Sequence, residues 1–184
     1  MKEITAKEFK DILKEKKISP DALQNMVVDK LIEMNKKIAT AESCTGGLLS
    51  KRLTEVGGVS KVFECGICSY ANEIKHKILG VSNETLDMVG AVSEEVAIQM
   101  AQGVKKLAEA DYGVSTTGIA GPTGGTAEKP VGLVYIAVVS DKNTIVYKAL
   151  LTEEENSTRE NIRKNATDLA LFTVLSELFS EKCE

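Results

Sequence analysis

The feature that most restricts this chain is a short apolar run that stops in a polar, glycine-containing turn and resumes with helical periodicity. Residues 37–41 form the run, Glu42-Ser43-Cys44-Thr45-Gly46-Gly47 the turn, and residues 48–56 the helical continuation. Such a strand–turn–helix unit places its turn at the carboxyl end of a strand, where open α/β sheets gather their ligands. The same grammar recurs downstream. Residues 62–71 read as a second strand and residues 72–79 as a short helix stopped by Gly80. Ser93-Glu94-Glu95 caps a longer helix whose apolar stripe is Val96, Met100, Val104 and Leu107. A third strand over residues 112–117 runs into the most glycine-dense stretch of the chain, residues 118–125. Residues 131–139 and 144–151 pattern as a β-hairpin around Asp141-Lys142-Asn143, and a last helix spans residues 157–179.

Two further signals precede these. Thr5-Ala6-Lys7-Glu8 is a capping-box pattern that opens a short helix. Ser19-Pro20-Asp21 offers an N-cap with proline at the first helical position, and the helix it opens runs to about Asn35 with Leu23, Val27, Leu31 and Met34 on one face. Strands separated by helices, with one late hairpin, predict a three-layer αβα fold with a mixed sheet. The 184 residues suit a single α/β domain. Residues 1–20 read as an N-terminal helical extension, and residues 21–184 as the domain proper.

The formal net charge of −4 implies no broad basic surface, so nucleic acid is not an expected partner. A small anion site is compatible with that balance. No apolar run approaches the roughly 18 residues of a membrane span, and the charged N-terminus lacks a signal-peptide core. A cytoplasmic location is the expectation. Four cysteines, Cys44, Cys65, Cys68 and Cys183, are too few and too unevenly spread for a disulfide framework. Cys65 and Cys68 make a C-x-x-C, but no second pair follows and His76 is the only histidine. On a strand, an offset of three sends the two thiols to opposite faces. Structural cysteines are therefore expected, with no metal and no cofactor.

Three places could carry chemistry. Ser43, Cys44 and Thr45 cluster at a helix N-terminus, whose amides can bind a phosphate or an oxyanion; an ordinary helix cap explains the same residues. A serine nucleophile needs a base. With one histidine, no G-x-S-x-G and no S-x-x-K, a Ser-His-Asp triad is almost excluded. Lys75, just past the second strand, could reach Ser43 if the two strands are neighbours, and burial would lower its pKa. Tyr70 could orient it or relay the proton. His76 reads as a surface helix residue. The glycine-dense stretch could present converging amides to an anion or simply connect two elements. Arg159 and Arg163, four apart on the last helix, could pair on a phosphate or lie exposed beside Glu155 and Glu160.

Taken together, the motifs resemble the CinA carboxy-terminal-domain family of nicotinamide-nucleotide amidohydrolases. The matching strings are Ile38-Ala39-Thr40-Ala41-Glu42-Ser43-Cys44-Thr45-Gly46-Gly47, Tyr70-Ala71-Asn72-Glu73 with Lys75, and Leu79-Gly80-Val81. Gly90-Ala91-Val92-Ser93, Thr117-Gly118-Ile119-Ala120-Gly121-Pro122 with Gly124-Gly125, Lys129-Pro130-Val131-Gly132, and Arg159 with Arg163 follow in the family's order. Two departures, Glu64-Cys65-Gly66 for a usual glycine pair and Val56-Gly57-Gly58 without its usual proline, leave the matched strings intact.

The resemblance implies hydrolysis of nicotinamide mononucleotide to nicotinate mononucleotide and ammonia. Ser43 would be the nucleophile, Lys75 its base and Tyr70 an assistant. Gly118, Gly121 and Arg163 would contact the nucleotide. Thr45, Gly46, Asn72 and Thr117 stand in the same strings and are expected beside them. A small-molecule nucleotide substrate, no nucleic acid, no membrane and a homo-oligomer complete the expected partners. The rival reading is a nucleotide-binding module without turnover, regulatory or linked to DNA uptake.

Overall fold

The computed structural model describes residues 1–153 and 157–180. Glu155 and Cys183 lie outside the described residues. A six-stranded mixed sheet forms the middle layer. Its strands are β1 (Lys2–Thr5), β2 (Ile38–Glu42), β3 (Phe63–Cys68), β4 (Tyr112–Gly118), β5 (Leu133–Val139) and β6 (Thr144–Leu150), in the order β1-β6-β5-β4-β2-β3. Pairing is parallel for β1 with β6 and for β2 with both β3 and β4, and antiparallel on both sides of β5. Five strands thus run one way, and β5 alone opposes them.

Helices cover both faces. On one side lie α1 (Ala6–Glu15), α2 (Leu23–Met34), α3 (Leu48–Thr54) and α7 (Arg159–Ser180). Their core joins Phe9, Val27, Leu31, Leu53, Leu169 and Phe172. On the other side are α4 (Asn72–Leu79), α5 (Asn83–Val89) and α6 (Glu94–Leu107), packed through Leu79, Leu86, Val96, Met100 and Val104 onto Ala39 and Ala41 of β2. Strand β2 is buried along its whole length, because helices stand on both of its faces. The path from β2 to β3 runs through α3 on one face, and the path from β3 to β4 runs through α6 on the other. The sheet therefore switches direction of winding at β2 and β4, the place where a crevice opens in such folds.

The three-layer mixed-sheet expectation matches this architecture, and several local expectations need correction. The N-terminal segment is not helix alone: Lys2–Thr5 adds an edge strand, and Thr5 then caps α1 in a capping box with Glu8. Four alternating residues are too short a signal to separate from a helix cap. The ring of Phe9 meets that of Phe172 edge-on at 5.7 Å, which seats α1 on α7. Ser19 makes no side-chain cap, and Pro20–Ala22 forms a 3-10 turn ahead of α2. Strand β3 stops at Cys68, three residues early, because the chain turns there toward α4. Helix α5 is an element beyond the sequence expectation; Ser82 caps it by accepting from the Thr85 amide at 3.4 Å. Leu107, expected on the buried stripe of α6, is exposed at its last residue.

The C-x-x-C pair splits as strand geometry requires. Cys65 packs against the α4–α6 core, while the Cys68 thiol lies exposed on the α3 side, beside Gly47. No helix among the described residues is long and apolar enough to cross a membrane.

Candidate active site

The carboxyl ends of β2, β3 and β4 converge on a cleft of about 260 Å³. Ser43 and Cys44 enter from the turn after β2, and Tyr70 and Lys75 from the end of β3 and from α4. Thr117, Gly118 and Gly121 come from β4 and the loop after it, and Arg159 from the start of α7. Gly46 at φ 58° and Gly47 at φ 92° make the turn possible, since side-chain-bearing residues rarely adopt that backbone. The backbone of Ser43 is held at both ends: its amide donates to the Thr116 carbonyl at 2.9 Å, and its carbonyl accepts from the Gly46 amide at 3.2 Å.

Lys75 is 1% exposed, and its Nζ lies 3.1 Å from Ser43 Oγ. The same nitrogen donates to the Ser69 carbonyl at 2.6 Å and to the Tyr70 carbonyl at 3.3 Å. Two carbonyls can take two N–H bonds of a neutral amine, which leaves its lone pair for the serine hydroxyl. Burial pushes the Lys75 pKa down from the ordinary lysine value. The Cys44 thiol is pushed up to about 12, chiefly by burial, with the Glu42 carboxylate adding to the effect. A thiol with that pKa stays protonated near neutral pH and is a poor nucleophile. His76 points away from the cleft, and its Nδ1 meets the Val81 carbonyl at 2.8 Å.

Helix α3 offers no free anion site. The Glu42 carboxylate already accepts from the amides of Gly47, Leu49 and Ser50 at 2.9, 3.0 and 2.8 Å. Of the two readings of this turn, an anion site and an ordinary helix cap, these three amides follow the second: a buried carboxylate of this chain occupies them.

The family described as the CinA C-terminal domain matches residues 20–178. The chain belongs to this family. A CinA-like protein of Kosmotoga olearia is 50% identical over 151 residues, covering 82% of this chain and 37% of that protein. A competence-damage inducible protein homologue of Thermoanaerobacter pseudethanolicus is 52% identical over 144 residues, 78% of this chain and 35% of the relative. The chain thus spans little more than a third of the length of these curated relatives. Solved structures match over nearly their whole length. The competence/damage inducible protein of Agrobacterium tumefaciens superposes with a TM-score of 0.82 at 38% identity, covering 85% of this chain and 94% of that one. A CinA superfamily protein of Klebsiella pneumoniae has a TM-score of 0.82 at 29% identity, covering 88% and 99%.

Within this CinA domain the expected site residues fall into two groups. Ser43, Lys75, Tyr70, Thr117, Gly118 and Gly121 share the cleft. Tyr70 is 66% exposed at its mouth; its hydroxyl accepts from Arg159 Nη2 at 2.8 Å, and it is the Tyr70 carbonyl that meets Lys75. Thr45, Gly46, Asn72 and Arg163 do not line the cleft. Thr45 is fully buried, donating to Glu42 at 2.7 Å. Gly46 lies against the Arg163 guanidinium. Asn72 is exposed in the first turn of α4. Arg163 donates through Nε to the Thr45 carbonyl at 3.0 Å and faces a neighbouring depression of about 720 Å³. Arg159, one turn earlier, lines both spaces and also donates to the Gly121 carbonyl at 2.7 Å. The sequence pairs the two arginines on one helix face; the rotation and depth of α7 decide which of them reaches the cleft.

Proposed function

We propose that the cleft hydrolyses the carboxamide of nicotinamide mononucleotide to nicotinate mononucleotide and ammonia. The observation that carries this reading is the buried Lys75 amine, 3.1 Å from the Ser43 hydroxyl and lowered in pKa. In the proposed reaction Ser43 Oγ attacks the carboxamide carbon while neutral Lys75 takes the serine proton. The carbonyl oxygen becomes an oxyanion. Cys44 lines the cleft next to Ser43, and its backbone amide is the donor we assign to that oxyanion. Lys75 returns its proton to the departing nitrogen, and ammonia leaves an acyl-serine. Water then attacks the acyl carbon with Lys75 again the base, releasing the carboxylate and restoring Ser43.

Arg159 is the cation on the cleft wall beside the glycine loop, a placement suited to a phosphate. An ammonia-release assay on the purified chain with nicotinamide mononucleotide tests the reading. Ser43→Ala should abolish release while nucleotide binding, followed by calorimetry, persists. Cys44→Ala should keep most of the rate. An inactive wild-type chain, or an active Ser43→Ala variant, would refute the assignment.

A further inference from the structure

The reading of Ser43 and Lys75 as nucleophile and base leaves one charged group beside them without a role. Glu42, the last residue of β2, is 0% exposed. Its two oxygens accept five hydrogen bonds, all from the eight residues that follow. Oε2 takes Thr45 Oγ1 at 2.7 Å, the Gly47 amide at 2.9 Å and the Leu49 amide at 3.0 Å. Oε1 takes the Ser50 amide at 2.8 Å and Ser50 Oγ at 2.6 Å. The side chain reaches forward over the turn and closes it into a ring with Ser43 at its base.

The same residue also touches the other half of the dyad. The Glu42 carbonyl accepts from the Ser69 amide at 2.8 Å, and the Ser69 carbonyl in turn accepts from Lys75 Nζ at 2.6 Å. One end of Glu42 holds the turn that carries Ser43, and the other holds the backbone that carries Lys75. We propose that Glu42 is a positioning residue: its carboxylate sets Ser43 Oγ against Lys75 without touching either group. This rests on the Ser–Lys reading above and assigns a residue that reading does not use.

A carboxylate is required, because only an acceptor on both oxygens satisfies this donor set. A glutamine amide has one oxygen and one NH2, so in either orientation two or three of the five donors would face N–H bonds. The buried charge is met by aligned amides at the start of α3, and no lysine or arginine among the described residues forms a salt bridge with it. Thr45, expected to contact substrate, supplies one of the five donors of this ring.

The test uses the whole chain and an alkyl fluorophosphonate, which reports the dyad without a nucleotide. On labelling, the Ser43 Oγ–P bond forms, the P–F bond breaks, fluoride leaves and Lys75 takes the serine proton. Glu42→Gln, confirmed as folded by circular dichroism, should label about a hundredfold more slowly, the scale expected for a nucleophile displaced by about 1 Å. Glu42→Asp should recover part of that loss. In nucleotide turnover the same loss should fall on kcat, with KM within about twofold of wild type. Labelling of folded Glu42→Gln at the wild-type rate overturns the proposal. If Glu42→Gln does not fold, Thr45→Val takes its place. It removes the donor nearest Ser43 in sequence, together with the 2.7 Å contact of Thr45 Oγ1 with Thr116 Oγ1, and keeps four; labelling about tenfold slower supports the role, and an unchanged rate overturns it. A wild-type chain that labels at Ser43 but releases no ammonia refutes the substrate alone, and the labelling comparison still decides the role of Glu42. A wild-type chain that does not label at Ser43 overturns both.

Discussion

Lys75 Nζ is fixed by two carbonyls and one hydroxyl, inside a wall that removes it from water. The lowered pKa has two separable consequences. For catalysis, the neutral amine is the active form, so the rate should rise with pH through an ionisation below the ordinary lysine value of about 10.4. Lys75→Arg should lose about 10²- to 10⁴-fold in kcat and the ionisation with it, because a guanidinium holds its proton. Substantial turnover in Lys75→Arg would mean that the site needs a positive charge there. For stability, the unfolded chain binds the proton more tightly than the folded one. Between the folded pKa and about 10.4 the unfolded state carries more protons, so stability rises with pH across that window. Below it the buried ammonium costs stability at every pH. The Tm of wild type relative to Lys75→Met should therefore climb as pH is raised toward 10, measured by thermal melts across the range.

At the scale of elements, α3 is a short helix stabilised from both sides of its axis. Glu42 caps its start, and Arg52 anchors its body. Arg52 donates to Asp168 of α7 at 2.7 Å and to the Pro20 carbonyl at 2.8 Å, and it also bonds the Gln24 side chain. Both Arg52 and Asp168 are buried. Burial pushes the Asp168 carboxyl up even though Arg52 pulls the other way, so the pair is held by mutual need. Arg52→Met should destabilise the fold by about 3–5 kcal/mol, because an unpaired buried carboxylate remains. Arg52→Met combined with Asp168→Leu should recover most of that loss in urea unfolding. A double variant as unstable as the single would show that the hydrogen bonds to Pro20 and Gln24 carry the effect instead.

Across the whole molecule, the dyad depends on how closely the layers stack. Helix α6 stands on the sheet and carries α4 on its flank, and two glycines set those distances. A Cβ on Gly113 would fall 2.0 Å from the Ala101 carbonyl oxygen, and one on Gly103 would fall 1.9 Å from that of Leu79. Leu79 ends α4, one turn beyond Lys75. Gly103→Ala would ordinarily gain about 1 kcal/mol of helix propensity. Here the obstacle is backbone, so the upper part of the overpacking range of about 1–3 kcal/mol applies and the net effect is a loss. The variant should melt lower and turn over more slowly as α4 shifts. A Tm equal to or above wild type would show that α4 and α6 separate freely and do not set the place of Lys75.

By itself the sequence determined what depends on neighbours along the chain. The strand–turn–helix unit, the capping box at Thr5, the helix stop at Gly80 and the hairpin around residues 141–143 all rest on contacts a few residues apart, whose partners are read together. The same holds for the glycines that bend the turn at Ser43. Only the tertiary structure decided what depends on distant partners. Ser43 and Lys75 meet across 32 residues because β2 and β3 pair in parallel with Glu42 beside Cys68. Tyr70 and Arg159 meet across 89, which puts Arg159 on the cleft and leaves Arg163 about 6 Å further along its helix axis. Edge strand β1 needed β6 to pair with, 145 positions away at its Glu3–Lys148 contact. The capping role of Glu42 is local in sequence, yet no periodicity reveals it. Burying a carboxylate without a cationic partner is favourable only where several backbone donors point at one place, and that convergence exists only once the strand, turn and helix are assembled.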